Sequence, residues 1–265
     1  RFSAIVQQGY PPTVLQFLDA AGAAQVAGRA VRGPGWWFPE GAWLSPASLL
    51  AASLARAGPR LRPLMERPVA RLEREGHRWR ALDAQDRVIA ESATAIIANA
   101  ADAIRLLPQS RMTLSAVRGQ LTYLPPSPKR TLDIIVSGTG YVAPMPDGGH
   151  AIGATYQHND ADASVRASDH QENLARADAM LPGFTQGVHS LQLSGWTGYR
   201  TTVPDRLPIF GAPGVEGIHA ATGLGSRGLR WAPLGAELLA SQLEGDPLPL
   251  PRDLAGALSP RRFLS

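Results

Sequence analysis

The chain has 265 residues, with 26 Lys and Arg against 22 Asp and Glu, a net charge of +4 and no cysteine. At roughly 100–200 residues per domain this length fits one large domain or two ordinary ones. With 44% hydrophobic and 18% charged residues, the composition is globular and excludes a disordered or acidic tail protein. Zero Cys excludes a disulfide scaffold, thiolate metal sites, a Cys nucleophile and cysteinyl attachment of a cofactor, and it fits a reducing compartment. The positive charge is carried by arginine, Lys129 being the only lysine; a polyanionic partner is permitted but not demanded. No run approaches the roughly 18 apolar residues of a membrane span. The opening Arg1-Phe2-Ser3 has neither a Met nor a signal-peptide pattern, and it reads as a cut in a longer chain.

In chain order, Val14 to Leu18 and the Ala-rich stretch after it predict a short helix, and Gly33 to Trp43 an aromatic, turn-rich loop. Ser45-Pro46 opens a helix, because Ser accepts a bond from a free amide and Pro at the first helical position wastes none; Gly58-Pro59 stops it. From Pro68 to Ala100 the pattern becomes strand-like, with hairpin turns at Gly76-His77 and Ala84-Gln85-Asp86. Thr94 to Ala100 is apolar without alternation, as in a strand of a parallel sheet buried on both faces, and its small end at Ala98 and Asn99 lets a ligand approach the backbone. Gln120 to Leu124, Leu132 to Val136 and Ala151 to Thr155 predict antiparallel strands. His170 to Leu181 predicts an amphipathic helix, Gly217 to Thr222 a strand and Pro233 to Leu243 a final helix.

The sharpest motif is Gly223-Leu224-Gly225-Ser226-Arg227-Gly228, a G-x-G-x-x-G between a predicted strand and a predicted helix. Glycines admit a cofactor to the backbone, and a helix start offers unpaired amides. A dinucleotide site of the usual kind needs a further strand carrying an acidic residue about 20 positions on, and Gly245-Asp246-Pro247 interrupts that pattern. Either the loop merely packs a helix on a sheet, or it is a cofactor loop of a sheet whose first βαβ unit lies upstream of Arg1.

Several segments together resemble one family. Gly198-Tyr199-Arg200 followed by Asp205-Arg206-Leu207-Pro208-Ile209-Phe210-Gly211 is similar to the "G-x-R, then D-x-x-P-x-x-G" signature of the glycine oxidase and D-amino-acid oxidase flavoproteins. Val117-Arg118-Gly119-Gln120 resembles the strand entering their substrate domain. Gly140 to Pro144 with Gly153 to Tyr156 resembles the hairpin over their flavin ring. Within that superfamily, Trp37 to Pro46, Leu224 to Leu229, Ala232-Pro233-Leu234 and the ending Leu258 to Leu264 resemble the FAD-dependent oxidoreductase half of the bifunctional tRNA 5-methylaminomethyl-2-thiouridine biosynthesis proteins.

The resemblance implies a mixed α/β and α+β fold. A Rossmann-like FAD-binding domain without its first βαβ unit (residues 45–110 and 206–265) would be interleaved with an antiparallel-sheet substrate domain of the D-amino-acid oxidase type (1–44 and 111–205). It implies FAD as cofactor, with Gly223, Gly225, Ser226, Arg227, Gly228, Leu229, Ala98 and Asn99 around it. It also implies oxidative removal of the carboxymethyl group, as glyoxylate, from 5-carboxymethylaminomethyl-(2-thio)uridine at the tRNA wobble position, leaving the 5-aminomethyl nucleoside. Arg200 would be the catalytic and substrate-binding residue, a planar, permanently charged fork suited to a carboxylate, and Tyr156 would close the pocket. The implied partners are tRNA with a modified wobble uridine, a fused or associated methyltransferase domain and the missing N-terminal FAD-binding segment, all in the cytoplasm.

The six histidines show no metal-ligand spacing, so no metal is expected. Trp36, Trp37 and Trp43 suit either base stacking or packing in a Pro/Gly loop, and Arg60, Arg62 and Arg67 either tRNA phosphates or solvent. Two alternatives stay open: a glycine or D-amino-acid oxidase acting on free amino acids, and a flavin-free basic module that only binds RNA.

Overall fold

A computed structural model describes Ile5 and residues 8–107 and 111–263. In chain order the elements are β1 (Gln16–Leu18), α1 (Ala20–Ala27), β2 (Gly35–Trp37), α2 (Pro46–Ala57), β3 (Arg71–Glu75), β4 (Arg78–Leu82), β5 (Val88–Ser92) and β6 (Ala95–Ile97). There follow α3 (Ala103–Leu106), β7 (Ser115–Leu124), β8 (Val136–Ser137), β9 (Tyr141–Pro144), β10 (His150–Gly153), β11 (Gln157–His158), α4 (Ala167–Met180) and β12 (Ser194–Thr202). The chain closes with β13 (Ile209–Gly211), β14 (Ile218–Thr222), α5 (Gly228–Glu244) and α6 (Arg252–Leu258). The elements divide into two compact units, 1–49 with 118–198 and 50–117 with 199–265.

The first unit is built on an antiparallel sheet in the order β11-β7-β10-β9-β8, with β12 also paired to β7. Its apolar core gathers Leu124, Leu132, Val142, Ile152, Ala177, Leu181 and Phe184. Where α4 meets β7 the interior is polar. Arg118 is fully buried, pairs with the buried Asp169, and donates to the carbonyls of Asp162 and Ser164, both at 2.6 Å. Gln157 Nε2 completes the Asp169 carboxylate at 2.8 Å. Gln120 accepts from the Arg166 amide (2.7 Å), and Asn173 Nδ2 donates to the Gln120 carbonyl (2.9 Å) and to Thr122 Oγ1 (3.1 Å). A buried charge is tolerable only when its partners are this complete.

The second unit carries two small sheets, β3-β4-β5 and β13-β14-β6. The first is an antiparallel meander whose outer face is laced with exposed ion pairs: Arg71 with Asp86, and Arg80 with Glu75 at 2.7 Å. The second pairs β14 antiparallel to β13 and parallel to β6. Ile97, Leu107, Met112, Val203, Ile209 and Ile218 pack around it, while Phe210 packs with Leu238, Leu239, Ala255 and Leu258.

The structure corrects several expectations. Gln16–Leu18 is a strand rather than helix, because Gln16, Phe17 and Leu18 pair with Trp37, Trp36 and Gly35; the helix begins only after Asp19, whose carboxylate caps the Gly22 amide at 2.7 Å. By the same pairing, part of the aromatic loop is β2. β6 is buried on one face only: Ile97 is 5% exposed and Ile96 48%. The expected strand at 132–136 contracts to Val136–Ser137, and the last helix starts five residues early, at Gly228, with Pro233 inside it. The helix from Pro46 ends at Ala57 as the Gly58-Pro59 break predicts, with Ser45 Oγ accepting the Ser48 amide at 3.3 Å.

Two measurements follow from the polar interior. Arg118→Ala leaves Asp169 buried without its counter-charge and is expected to cost about 3–5 kcal/mol in urea unfolding, whereas a surface pair partner such as Arg80→Ala costs under about 1 kcal/mol. His170 and His150 are both held below the ordinary histidine pKa of 6.5 by burial, His170 with Nδ1 2.7 Å from Thr122 Oγ1. A group with its folded pKa depressed takes up its proton in the unfolded chain first. The stability due to the neutral rings is therefore complete above about pH 6.5 and lost as pH falls through and below that value. The urea midpoint is expected to drop between about pH 7 and 5, less steeply in His170→Gln; a flat midpoint would refute the assignment.

Candidate active site

In the second unit, β6 and β14 run side by side in the same direction, with Ala95, Ile96 and Ile97 opposite Ile218, His219 and Ala220. Both strands therefore end at one edge. In open α/β sheets ligands bind at the carboxyl ends of such strands.

Beyond β6 the chain passes through the exposed Ala98 and Asn99 and turns sharply at Ala100, which adopts φ 58°. Beyond β14 come Gly223 and Gly225, with φ 73° and 56°, a short 3-10 turn over Gly225–Arg227 and then α5. Thr222 Oγ1 donates to the Ala100 carbonyl at 2.8 Å and ties the two turns together.

The two glycines serve different purposes. A Cβ on Gly223 would lie 2.4 Å from Val203 Cγ2, so this position is closed by packing. A Cβ on Gly225 would meet nothing within 4 Å, so this position opens onto free space. The loop backbone is thus exposed to a ligand where α5, a 17-residue helix, presents its first amides.

The structure brings Ala98, Asn99, Gly223, Gly225, Ser226, Arg227, Gly228 and Leu229 to this one edge. Ser226 and Arg227 are exposed, and Leu229 is 48% exposed. Arg200 lies on β12 in the same unit and is partly buried. Tyr156 belongs to the other unit, just before β11; it is 46% exposed and edge-on to His158 at 5.3 Å.

A residue whose role sequence reasoning missed is Arg262. It donates to both Asp205 oxygens, from Nε at 2.6 Å and Nη2 at 3.3 Å, and to the Leu207 carbonyl at 2.8 Å. Burial would raise the Asp205 pKa, but the Arg262 bonds and the Leu207 amide outweigh it and hold the carboxylate below its usual value. The D-x-x-P turn after Arg200 is therefore clamped by the C-terminal 3-10 turn. The run Arg261-Arg262-Phe263 was the available signal, but nothing in it points to Asp205. No group of three or more metal-ligating side chains occurs among the described residues, and none of their helices is long and apolar enough to cross a membrane.

The profile of the family described as FAD dependent oxidoreductase matches residues 2–242, and the chain belongs to that family. It is 41% identical to the tRNA 5-methylaminomethyl-2-thiouridine biosynthesis bifunctional protein MnmC of Paraburkholderia phytofirmans, over 98% of this chain and 44% of that protein. To the protein of the same name from Azoarcus sp. it is 39% identical, over 100% of this chain and 44% of that one. The chain thus spans less than half the length of these relatives. Among solved structures, glycine oxidase from Geobacillus kaustophilus superposes with a TM-score of 0.79 at 22% identity, covering 94% of this chain and 67% of that one. L-proline dehydrogenase from P. horikoshii gives 0.79 at 17%, covering 99% and 71%. These two matches show that the chain shares their fold.

FAD, the family's cofactor, fits the strand-end edge on this structure's own terms: the exposed loop backbone, the open space over Gly225 and the α5 amides suit an electron-rich planar ring. Gly225→Val is expected to lower the flavin-to-protein absorbance ratio severalfold. Its backbone cost is about 1–2 kcal/mol for a left-handed residue. Gly223→Ala adds a clash with Val203 and should lower the melting temperature by more. Unchanged flavin content in Gly225→Val would rule out the edge as the cofactor site.

Proposed function

We propose that the chain is the flavin-dependent part of a tRNA-modifying amine oxidoreductase, removing the carboxymethyl group from 5-carboxymethylaminomethyl-(2-thio)uridine at the wobble position. The observation that carries the reading is the glycine loop at the shared carboxyl end of β6 and β14, open over Gly225. The substrate class is drawn from the relatives at about 40% identity. In this reading residues 45–110 and 206–265 are the cofactor side and residues 1–44 and 111–205 the substrate side. A methyltransferase activity accompanies the oxidoreductase, tRNA is the macromolecular partner, and the cytoplasm is the site of action.

When bound, FAD would supply the two-electron oxidising power that turns the N–CH2–COO⁻ unit into an imine, taking the hydride from the methylene while the amine proton passes to solvent, and water would then release glyoxylate and the primary amine. No side-chain nucleophile is needed, so the protein's contribution is placement. Gly223 to Leu229, with Ala98 and Asn99, would hold the flavin against loop and helix amides. Arg200 would grip the substrate carboxylate through its guanidinium, fixing the methylene to be oxidised. The Asp205–Arg262 clamp holds the segment that follows Arg200.

Arg200→Gln is expected to reduce kcat/KM on modified tRNA by about 10–100-fold, the worth of a charge-assisted hydrogen bond pair, without changing flavin content. Glyoxylate release measured in parallel from modified tRNA, glycine and sarcosine tests the substrate. Turnover of the free amino acids with none of tRNA would replace this reading by the amino-acid oxidase one.

A further inference from the structure

The first unit contains a cavity of about 550 Å³ that shares no residue with the glycine loop, Arg200 or Tyr156. That volume is within the roughly 300–1,000 Å³ of small-molecule sites. One wall is the β1–β2 ribbon. Side chains alternate across a strand, and the register sets Gln16 opposite Trp37, Phe17 opposite Trp36 and Leu18 opposite Gly35. Leu18, Gly35 and Trp37 therefore share one face, and the Phe17–Trp36 pair, edge-on at 5.4 Å, occupies the other.

A Cβ at Gly35 would meet no atom within 4 Å. The missing side chain leaves a slot beside the Trp37 indole. The polar segment Ser137-Gly138-Thr139 also lines the cavity, as do Val26 and Met180. At the mouth stands Arg32. Its backbone is fixed by a bond to the Met180 carbonyl at 3.0 Å, and its exposed guanidinium has no ion-pair partner among the described residues. Among the described residues no carboxylate lines the cavity.

A flat slot against an indole, two hydroxyls and an unopposed cation at the rim have the chemistry of a nucleotide: a base with π-faces, polar edges and a neighbouring phosphate. We infer that this cavity receives one unstacked base of the RNA, stacked on Trp37, with the adjoining phosphate on Arg32. The inference rests on the tRNA reading above and extends it to a second contact, separate from the reacting nucleoside. Trp36 also borders the cavity, but its ring is engaged edge-on with Phe17, so Trp37 is the stacking face.

The test is the affinity of an end-labelled anticodon stem-loop RNA for the protein, by fluorescence anisotropy over a range of salt. Trp37→Ala is expected to raise Kd about 10-fold, the scale of one base–aromatic stack; Trp37→Phe keeps a stacking face and should stay within about 3-fold. Gly35→Leu, whose Cβ meets nothing within 4 Å, occupies the slot and should match Trp37→Ala, so the result does not depend on Trp37→Ala folding well. Arg32→Gln should weaken binding and reduce the slope of log Kd against log salt by about 0.7–0.9, one phosphate contact. Flavin content should be unchanged in all four.

Wild-type affinity in Gly35→Leu and Trp37→Ala would overturn the inference while leaving the tRNA reading intact if modified tRNA is still oxidised. Loss of affinity in those variants, in a protein that oxidises only free amino acids, would keep the pocket and overturn the reading. No RNA binding by the wild-type protein would overturn both.

Discussion

The parallel pairing of β6 with β14 is the constraint on which the candidate site depends. Two strands that run together must both release the chain at the same edge, and neither can turn back into the sheet. The first escapes through Ala98, Asn99 and the left-handed Ala100, the second through Gly223 and Gly225, and Thr222 bonds one turn to the other. An antiparallel pairing would send these two turns to opposite ends of the sheet. Because they coincide, a loop of small residues, an exposed backbone and the start of a long helix meet at one place. That combination is what a large planar cofactor requires, and it lies wholly within one compact unit.

The other unit solves a different problem. Its sheet carries a buried arginine in place of an apolar core residue, which is no gain in stability by itself. What Arg118 supplies is definition: its guanidinium reaches Asp169 at the start of α4, Gln157 on β11 and the carbonyls of the 162–164 loop, and a one-residue slip of β7 would turn it to the other face of the sheet. The carboxylates of Asp160 and Asp162 in that loop are held below their usual pKa, Asp160 chiefly by Arg166 and Asp162 chiefly by the Ser164 amide and then Arg166. One loop is thereby fixed from both sides. The cavity beside Trp37 lies in this unit too, and its emptiness has a local cause, since Gly35 offers no side chain to fill it.

Local signals account for much of the architecture. The G-x-G-x-x-G run between a strand and a helix is legible because backbone conformation, not distant packing, decides which residues can stand there. The same holds for Ser45-Pro46 and the Gly58 stop. What was not legible depends on partners far along the chain. Three residues at Gln16–Leu18 have no strand signal of their own and take that form because Gly35–Trp37 pairs with them. The apolar run at 95–97 cannot announce that one of its faces is open, as that depends on what packs against the sheet from elsewhere in the chain. Arg118 finds Asp169 51 residues away, and Arg262 finds Asp205 57 residues back. The cavity is invisible in sequence for the same reason: its walls come from four separate stretches. The roles of Arg200 and Tyr156 came from family resemblance alone, since neither sits in a pattern whose spacing demands them.

The most direct test of the account is a crystal structure of the protein grown with FAD. The account predicts the flavin ring against Gly223 to Leu229, with Ala98 and Asn99 beside it and Gly225 in contact through its backbone. A flavin bound at the opposite edge of the β13-β14-β6 sheet, or in the cavity beside Trp37, would contradict it.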